Sequence, residues 1–322
     1  MESIRPNTLS EFVGQRQAVE VLKIHLASAR KRNAPMPHLL MAGPPGLGKT
    51  SLARIVASET GGRLLEAVGG TIKTPSDVAN LLGNLRSGDT LFVDEIHAVQ
   101  RCVEELFYGA MEDGMLTVED RTCDRMFRDL GLGVGRPTTK SIKKLPPFTM
   151  VGATTLLGLV SSPLRSRFYS VLTLQPYSLE EMTAIVLRTA KQLDIAISKE
   201  VATEVATRSK GTARVAVSNV HWIRDYSLAQ GCRLTVKSAR ESFLMKGIDA
   251  NGLTPTDRIY LQRLNASAES VGVETLAATI GESVETLEQA IEPFLLAQGF
   301  IEKTSRGRVA TAKARSLYGV AA

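Results

Sequence analysis

The most distinctive chemical pattern in the chain is a glycine-rich run, Gly43-Pro-Pro-Gly-Leu-Gly-Lys-Thr50, which fits G-x-x-x-x-G-K-[ST]. Gly46 and Gly48 allow backbone N–H groups to approach a pyrophosphate. Lys49 can supply a cation to the β- and γ-phosphates, and the Thr50 hydroxyl can ligate Mg²⁺. A helix beginning here would direct the positive end of its dipole at the same anion. The run predicts a P-loop that binds ATP; the alternative is a glycine-rich turn before a helix.

A second pattern is an apolar run that ends in two carboxylates, Thr90-Leu-Phe-Val-Asp94-Glu95. We expect Asp94 to help hold Mg²⁺ and Glu95 to orient and deprotonate the attacking water. Acidic residues end many strands, but this run follows the P-loop lysine by about 45 residues, as a Walker-B strand does. For His97 the pattern favours a solvated or helix-capping role over a catalytic one.

Two further groups of residues fit the same chemistry. Val151-Gly-Ala-Thr-Thr155 predicts a strand with hydroxyls at its carboxyl end, where ligands of open α/β sheets bind. Thr155 could hold the water near the γ-phosphate, or it could be an ordinary strand terminus. Arg165 and Arg167 follow in a loop, and either could neutralise charge on a neighbouring subunit's γ-phosphate.

These residues require a scaffold of alternating strands and helices. Apolar runs near 38–42, 64–68, 91–93 and 150–153 alternate with amphipathic stretches, which predicts a parallel sheet with crossover helices ending near Tyr177. Residues 114–147 form a polar insertion that predicts a projecting hairpin or functional loop, with Leu116–Val118 and Thr138–Ile142 as its two strands. Residues 179–248 have helical periodicity. Two helices joined at Gly281 and a hairpin after Gly299 then predict a winged helix-turn-helix.

Composition limits the classes of protein. The 322 residues are 43% hydrophobic and 22% charged, which is typical of an ordinary globular chain rather than a disordered one. No apolar stretch approaches the ~20 residues of a membrane helix and no signal peptide is visible, so we expect a cytoplasmic protein without membrane contact. The three cysteines lack metal-site spacing. Of the +6 formal charge, five basic residues with no acidic ones lie from Lys303 onward, which favours an anionic partner there.

The order of these motifs resembles that of the AAA+ ATPases, and more narrowly that of the RuvB-type Holliday-junction branch-migration motors. The narrower resemblance rests on Tyr108-Gly-Ala-Met-Glu-Asp113, on Leu145-Pro-Pro-Phe-Thr149 and on the run from Ile291 to Thr311. It begins at Arg5-Pro6 and covers nearly the whole chain; we expect the family's usual N-terminal extension to be missing. It implies an α/β fold, a P-loop AAA+ parallel-sheet core at 1–177, followed by an all-helical lid domain at 178–250 and a C-terminal winged-helix domain at 251–322.

The resemblance also implies roles for particular residues. Arg214 corresponds to the lid arginine that senses the γ-phosphate, Arg167 corresponds to the trans-acting arginine finger, and Arg165 stays open as the alternative finger. The predicted nucleotide-binding residues are Ile4, Arg5 and Tyr177 on the adenine and ribose side, Gly46, Gly48, Lys49, Thr50 and Ser51 on the phosphates, and Glu112, Asp113 and Arg214. The predicted DNA-binding residues are Lys303, Arg306 and Arg308. Thr50 and Asp94 are the predicted Mg²⁺ ligands.

The function implied is that of an ATP-dependent DNA translocase, or helicase motor, that drives branch migration of Holliday junctions in recombination and repair. It would act as a ring of six subunits on double-stranded DNA, with a RuvA-type junction-recognition protein. The alternatives are a clamp-loader-like or protein-remodelling ATPase and a DNA-binding regulator without ATPase activity. Two departures stand out: Lys210-Gly-Thr-Ala213-Arg214 replaces the family's Arg-Gly-Thr-Pro-Arg, and residues 117–144 are unusually basic.

Overall fold

The computed structural model describes residues 5–119, 140–267 and 269–318. Internal contacts divide the chain into two compact units. The first holds residues 5–43 and 49–174, and the second holds 44–48 and the described residues from 175 onward. Ile4, one of the predicted nucleotide contacts, lies outside the described residues, as do the central residues of the basic insertion.

The first unit alternates strands and helices. Its elements are α1 (Arg16–Arg32), β1 (Leu39–Ala42), α2 (Lys49–Thr60), β2 (Leu64–Val68), α3 (Pro75–Gly83), β3 (Thr90–Asp94), α4 (Arg101–Glu112), β4 (Met115–Glu119), β5 (Lys140–Lys144), β6 (Thr149–Thr154), α5 (Ser162–Ser166) and β7 (Ser170–Thr173). Side-chain caps mark the start of α3 and α5. At α3, for example, Thr74 and Asp77 form a reciprocal capping box with Pro75 at the first turn.

Five of these strands form a parallel sheet in the order β2-β3-β6-β1-β7. β1, β3 and β6 are apolar and almost wholly buried, as expected for strands covered on both faces. The chain order reverses around β1, and open sheets bind ligands at the carboxyl ends of the strands beside such a reversal. The sheet therefore places the ends of β1, β3 and β6 at one edge.

One strand of this unit differs from the prediction for a physical reason, and the insertion agrees with it over the described residues. β7 is absent from the predicted strands because Ser170–Thr173 is short and its side chains alternate between buried and exposed, which weakens the apolar signal. The insertion does begin and end as an antiparallel pair, with Met115 opposite Lys144 and Glu119 opposite Lys140. The described part of the second strand is Lys140–Lys144, and the predicted start at Thr138 lies outside the described residues, as do all of residues 120–139.

The second unit begins with four helices, as the periodicity predicts. They are α6 (Leu179–Gln192), α7 (Lys199–Thr207), α8 (Ala213–Gln230) and α9 (Val236–Met245). Ser178 and Glu181 form a capping box at the start of α6. Gly231, at φ 59°, ends α8 in the left-handed conformation that glycine adopts without a Cβ clash.

A winged helix-turn-helix follows within the same unit. Its elements are α10 (Pro255–Asn265), α11 (Val273–Ile280), α12 (Val284–Thr286), a π-helical stretch (Leu287–Ile291), α13 (Glu292–Ala297), β8 (Ile301–Thr304), β9 (Gly307–Ala310) and α14 (Ala312–Tyr318). The long helix predicted from Val284 thus contains a π turn that ends two residues before Pro293, whose ring nitrogen cannot donate to the helical ladder. Gly299 (φ 67°) ends it. The fold class predicted from the sequence is confirmed.

No helix in the described part of the chain is both long enough and apolar enough to cross a membrane.

Candidate nucleotide site and winged-helix surface

The P-loop connects β1 to α2 and has the backbone conformation that its glycines permit. Gly46 and Gly48 have φ angles of 81° and 100°, which L-residues with a side chain rarely adopt. Gly43 lies so close to Leu174 that a Cβ there would meet the Leu174 carbonyl oxygen at 2.6 Å. These glycines therefore allow the loop a backbone conformation in which N–H groups can face an anion.

Lys49, the first residue of α2, is buried, with 7% of its surface exposed. Its ammonium donates to the carbonyl oxygen of Gly43 at 2.5 Å, so the cation is held against the loop. Thr50 and Ser51 follow on the same turn and are half-buried. A phosphate bound at the loop would give this buried ammonium a charged partner in addition to the Gly43 carbonyl.

Asp94 and Glu95 end β3, two strands from the P-loop strand. The backbone N–H of Glu95 donates to the Asp94 carboxylate at 3.0 Å. Glu95 itself has φ 47° and ψ 50°, a left-handed conformation that costs a non-glycine residue about 1–2 kcal/mol. Gly69 makes room for it, because a Cβ on Gly69 would lie 2.2 Å from the Glu95 carbonyl oxygen.

The end of β6 meets the Glu95 side chain. Thr155 donates to Glu95 Oε2 twice, from its backbone N–H at 3.2 Å and from its hydroxyl at 3.0 Å. The preceding residue, Thr154, is fully buried and contacts the ring of His97. Since the backbone N–H of Gly43 donates to the Thr154 carbonyl oxygen at 3.1 Å, the ends of β1, β3 and β6 are directly linked.

The P-loop residues 44–48 contact the lid helices within the second unit. Tyr177 is buried, and its hydroxyl donates to the Leu47 carbonyl oxygen at 2.7 Å. The backbone N–H of Arg214 donates to the Gly46 carbonyl oxygen at 3.3 Å, while the residue as a whole is exposed. α8 begins at Ala213 even though the usual proline is missing, so the predicted sensor keeps its place on the first turn of that helix.

Arg167 lies in a separate cluster on the first unit. Its guanidinium stacks 3.9 Å above the ring of Tyr108, donates to the Pro163 carbonyl oxygen at 2.6 Å and pairs with Glu112 at 3.3 Å. Tyr108 donates in turn to Glu104 at 2.8 Å. Asp113 is exposed beside this cluster, and Arg165 is exposed too. The structure thus groups the predicted residue Glu112 with the predicted finger.

The predicted DNA contacts lie on the β8–β9 hairpin in different surroundings. Glu292, fully buried at the start of α13, pairs with Lys303 at 2.7 Å and with Arg308 at 2.8 Å. Arg308 also pairs with Glu288 at 2.7 Å, and only 12% of its side chain is exposed. Arg306 is exposed at the hairpin tip. Burial would raise the pKa of Glu292, but hydrogen bonds from Arg308 and Lys303 outweigh it and hold that pKa below its ordinary value.

Comparison with known families identifies the chain. The model of the Holliday junction DNA helicase RuvB P-loop domain matches residues 4–174, more than half of the sequence. The chain belongs to the RuvB family. The RuvB AAA lid model matches residues 177–249, and the RuvB C-terminal winged helix model matches residues 250–319.

Individual RuvB proteins are similar over almost the whole length. The Holliday junction branch migration complex subunits RuvB of Chloroflexus aurantiacus and Chloroflexus aggregans are each 44% identical over 99% of this chain and 89% of their own length. Among solved structures, the Thermotoga maritima RuvB Holliday junction branch migration motor is 36% identical, with a TM-score of 0.84. A point mutant of that protein is 37% identical, with a TM-score of 0.86; both alignments cover 97% of each chain.

In this RuvB-family chain, the motifs alone do not reveal several contacts. Tyr108, Glu104 and Ser161 support Arg167 and the loop before α5, where the Ser161 side chain caps the helix. The i, i+4 spacing of Glu104 and Tyr108 on an amphipathic helix was the available signal. The partners of Arg308 are 16 and 20 residues away, so no local pattern marks them. The DNA-contact roles of Lys303 and Arg308 stay predictions, although both cations have carboxylate partners here.

Proposed function

We propose that this chain is an ATP-driven motor that migrates the branch point of Holliday junctions, as its relatives are named for doing. The observation that supports this most strongly is that three RuvB models match consecutive segments from residue 4 to residue 319. A clamp loader or protein-remodelling ATPase would not need the RuvB winged-helix segment. The P-loop ATPase and the DNA-binding module are therefore parts of one machine.

The residues present fit a nucleotide with Mg²⁺. The P-loop has the positive-φ glycines that a pyrophosphate requires, and Lys49 is held beside the loop. Ser51 would contact the phosphates, and Thr50 and Asp94 would hold Mg²⁺, which would neutralise charge on those phosphates. Arg5 and Tyr177 would line the adenine and ribose side. Tyr177 is already fixed through the carbonyl of Leu47.

Hydrolysis is assigned to residues at the carboxyl ends of β3 and β6. Glu95 would accept a proton from the attacking water, since a carboxylate can act as general base when it is held within hydrogen-bond reach. Thr155 fixes one oxygen of that carboxylate through two hydrogen bonds. Lys49 and Arg214 would stabilise the negative charge on the transferred phosphoryl group.

A second subunit completes the proposed site. Arg167 lies with Tyr108 and Glu112 rather than among the residues that hold Glu95. We assign Arg167, with Glu112 and Asp113 beside it, to the nucleotide of a neighbouring subunit in a ring, for which six is the proposed number. An arginine supplied in trans can raise the rate of phosphoryl transfer by roughly 10³–10⁵-fold.

The wing is assigned to the phosphate backbone of duplex DNA. Arg306 at its tip and Lys303, which is 42% exposed, present charge to solvent. Contacts of this kind position a protein without reading sequence. A RuvA-type junction-recognition protein as partner and a location in the cytoplasm belong to the same proposal.

The test is a branch-migration assay on a synthetic four-way junction with ATP and Mg²⁺, with and without a RuvA-type protein. We expect junction-stimulated ATP hydrolysis and strand exchange for the wild type. Glu95→Gln should bind ATP but lose hydrolysis by at least about 10²-fold. ATP turnover that junction DNA leaves unchanged, with no strand migration under either condition, would favour a protein-remodelling ATPase and overturn the proposal.

A further inference from the structure

His97 lies three residues after Asp94, and only 14% of its side chain is exposed. Its ring nitrogen Nδ1 is 3.0 Å from the Thr154 hydroxyl and 3.2 Å from Oε2 of Glu95. These two oxygens belong to different strands of the sheet, β6 and the end of β3. The imidazole therefore bridges the two strand ends that carry the proposed hydrolytic residues.

The groups around His97 indicate whether Nδ1 donates or accepts in its hydrogen bond with Thr154. The Thr154 hydroxyl is fully buried and already accepts the backbone N–H of Leu156 at 3.0 Å. A hydroxyl oxygen has two acceptor sites, so it can also accept from His97. A carboxylate oxygen only accepts. A proton on Nδ1 can be donated to the Thr154 hydroxyl and lies beside the carboxylate of Glu95, whereas a lone pair there would face the negative charge of that carboxylate.

The contacts to Glu95 converge on one of its oxygens. The N–H and hydroxyl of Thr155 and the Nδ1 of His97 all approach Oε2. Oε1 has no hydrogen-bond partner among the residues that the structure describes. The backbone of Glu95 is left-handed, a conformation that persists where the surrounding structure holds it.

We propose that His97 is a positioning residue for the proposed general base. Together with Thr155 it fixes Oε2 of Glu95, so that Oε1 stays directed at the water to be activated. His97 holds the orientation and takes no proton from substrate. This inference rests on the hydrolytic role proposed above for Glu95.

The first test compares two substitutions in the full-length protein with ATP and four-way junction DNA. His97→Leu removes the donor, and His97→Asn keeps an N–H near the position of Nδ1. We expect kcat to fall roughly ten- to hundredfold in His97→Leu, the size of effect expected when a catalytic group is misplaced, with KM for ATP nearly unchanged. His97→Asn should recover most of kcat. The matched control is His221→Leu, on the lid helix α8, which should match the wild type.

A double-mutant cycle tests whether His97 acts through Glu95. Once Glu95→Gln has removed the base, adding His97→Leu should reduce kcat by less than about twofold, because coupled residues are not additive. A full additional loss would overturn the proposal. Equal defects in His97→Leu and His97→Asn, or a loss that lies wholly in KM, would do the same, since either result indicates a packing or binding role.

A spectroscopic measurement needs no turnover. In nucleotide-free protein with ¹⁵N-labelled histidine, the His97 signal is identified as the one missing in His97→Asn. We expect Nδ1 to carry a proton and its shift to move in Glu95→Gln, while the His221 signal stays in place. A proton confined to Nε2 would overturn the proposal. The wild type could hydrolyse no ATP even though Nδ1 is protonated and its shift changes in Glu95→Gln. The proposed function would then be wrong, while the contact between His97 and Glu95 would be supported.

Discussion

Arg167 already has three partners within its own unit: the face of Tyr108, the Pro163 carbonyl and the carboxylate of Glu112. The ring limits the guanidinium to one plane, and the carboxylate occupies the position that a phosphate oxygen could take. Arg165, two residues earlier, is exposed. An arginine ordered before binding loses less conformational entropy when it meets a phosphate, which favours Arg167 over Arg165 as the finger.

We therefore expect Arg167→Ala to lower ATP hydrolysis by roughly 10³-fold or more, while Arg165→Ala retains most of it. Mixing Arg167→Ala subunits with Lys49→Ala subunits should restore part of the activity, because an intact P-loop then meets an intact finger at some interfaces. The measurement is steady-state hydrolysis against the mixing ratio. Rescue by Arg165→Ala subunits combined with Lys49→Ala, and none by Arg167→Ala, would assign the finger to Arg165.

Glu292 is the residue at which pH should act on stability. Its carboxylate is fully buried between Arg308 and Lys303, whose hydrogen bonds hold its pKa below its ordinary value near 4.5. A lowered folded-state pKa gives stability that is fully present above the unfolded-state value and is lost as pH falls through the folded-state value. Glu292→Gln should therefore cost about 3 kcal/mol at pH 7, and this difference from the wild type should shrink below about pH 4.5.

Thermal unfolding followed from pH 7 to pH 3 checks this prediction. Glu302→Gln is the matched control, because Glu302 is an exposed carboxylate on the same hairpin. It should follow the wild type at every pH. A constant difference between Glu292→Gln and the wild type over the whole range would show that the charge of Glu292 does not carry the stabilisation.

Among the elements, those that could be predicted from the sequence have strong local signals. β1, β3 and β6 have buried apolar centres, and the four lid helices have regular periodicity between clear breaks. β7 and the π turn lack such signals. A short, half-exposed edge strand depends on the sheet it joins, and the π turn depends on how Pro293 is accommodated within the packed winged helix.

For the wing, too, the secondary structure could be predicted from the sequence but the side-chain contacts could not. A hairpin after Gly299 could be predicted from the chain, but the distinction between its cations could not. Arg308 crosses to Glu288 and Glu292 on the preceding helical stretch, and its backbone pairs with Val271. The side chain of Arg306, at the turn, is exposed and has no such ion pair among the described residues.

Substitutions on the wing should therefore separate binding from stability. Arg306→Ala should weaken duplex DNA binding to a similar degree for all sequences and lower the slope of log K against log salt by about 1, with an unchanged melting temperature. Arg308→Ala should lower the free energy of unfolding by about 3 kcal/mol, because it leaves Glu292 short of a partner. Fluorescence anisotropy at several salt concentrations and thermal melts distinguish the two effects. The reverse pattern would assign the main phosphate contact to Arg308.

At the scale of the whole molecule, the second unit joins the lid to the winged helix through charge. Lys210, four residues before Arg214, pairs with the buried Asp257 of α10, which also closes the capping box of that helix with Thr254. The chain carries lysine where the family motif has arginine. Sequence spacing could not reveal this pair, because its members are 47 residues apart.

We expect Lys210→Met to destabilise this unit by about 3 kcal/mol, since it leaves a buried carboxylate without its cation. It should also lower the number of base pairs migrated per ATP hydrolysed. Lys210→Arg, the matched control, keeps the charge and should retain both properties. Parallel measurement of ATP turnover and junction migration checks the ratio. A Lys210→Met protein with normal stability and a normal ratio would rule out this pair as the connection.

The ion pairs of Lys303 and Arg308 with Glu292 also affect the rigidity of the β8–β9 hairpin. Gly307 lies so close to Val271 that a Cβ there would meet its carbonyl oxygen at 2.4 Å, and ion pairs on both strands brace the hairpin against α13. A flexible connection between an ATPase domain and bound DNA would absorb part of each conformational change. A hairpin held in this way is rigid, so we expect a displacement of α13 to be transmitted to the hairpin tip almost undiminished.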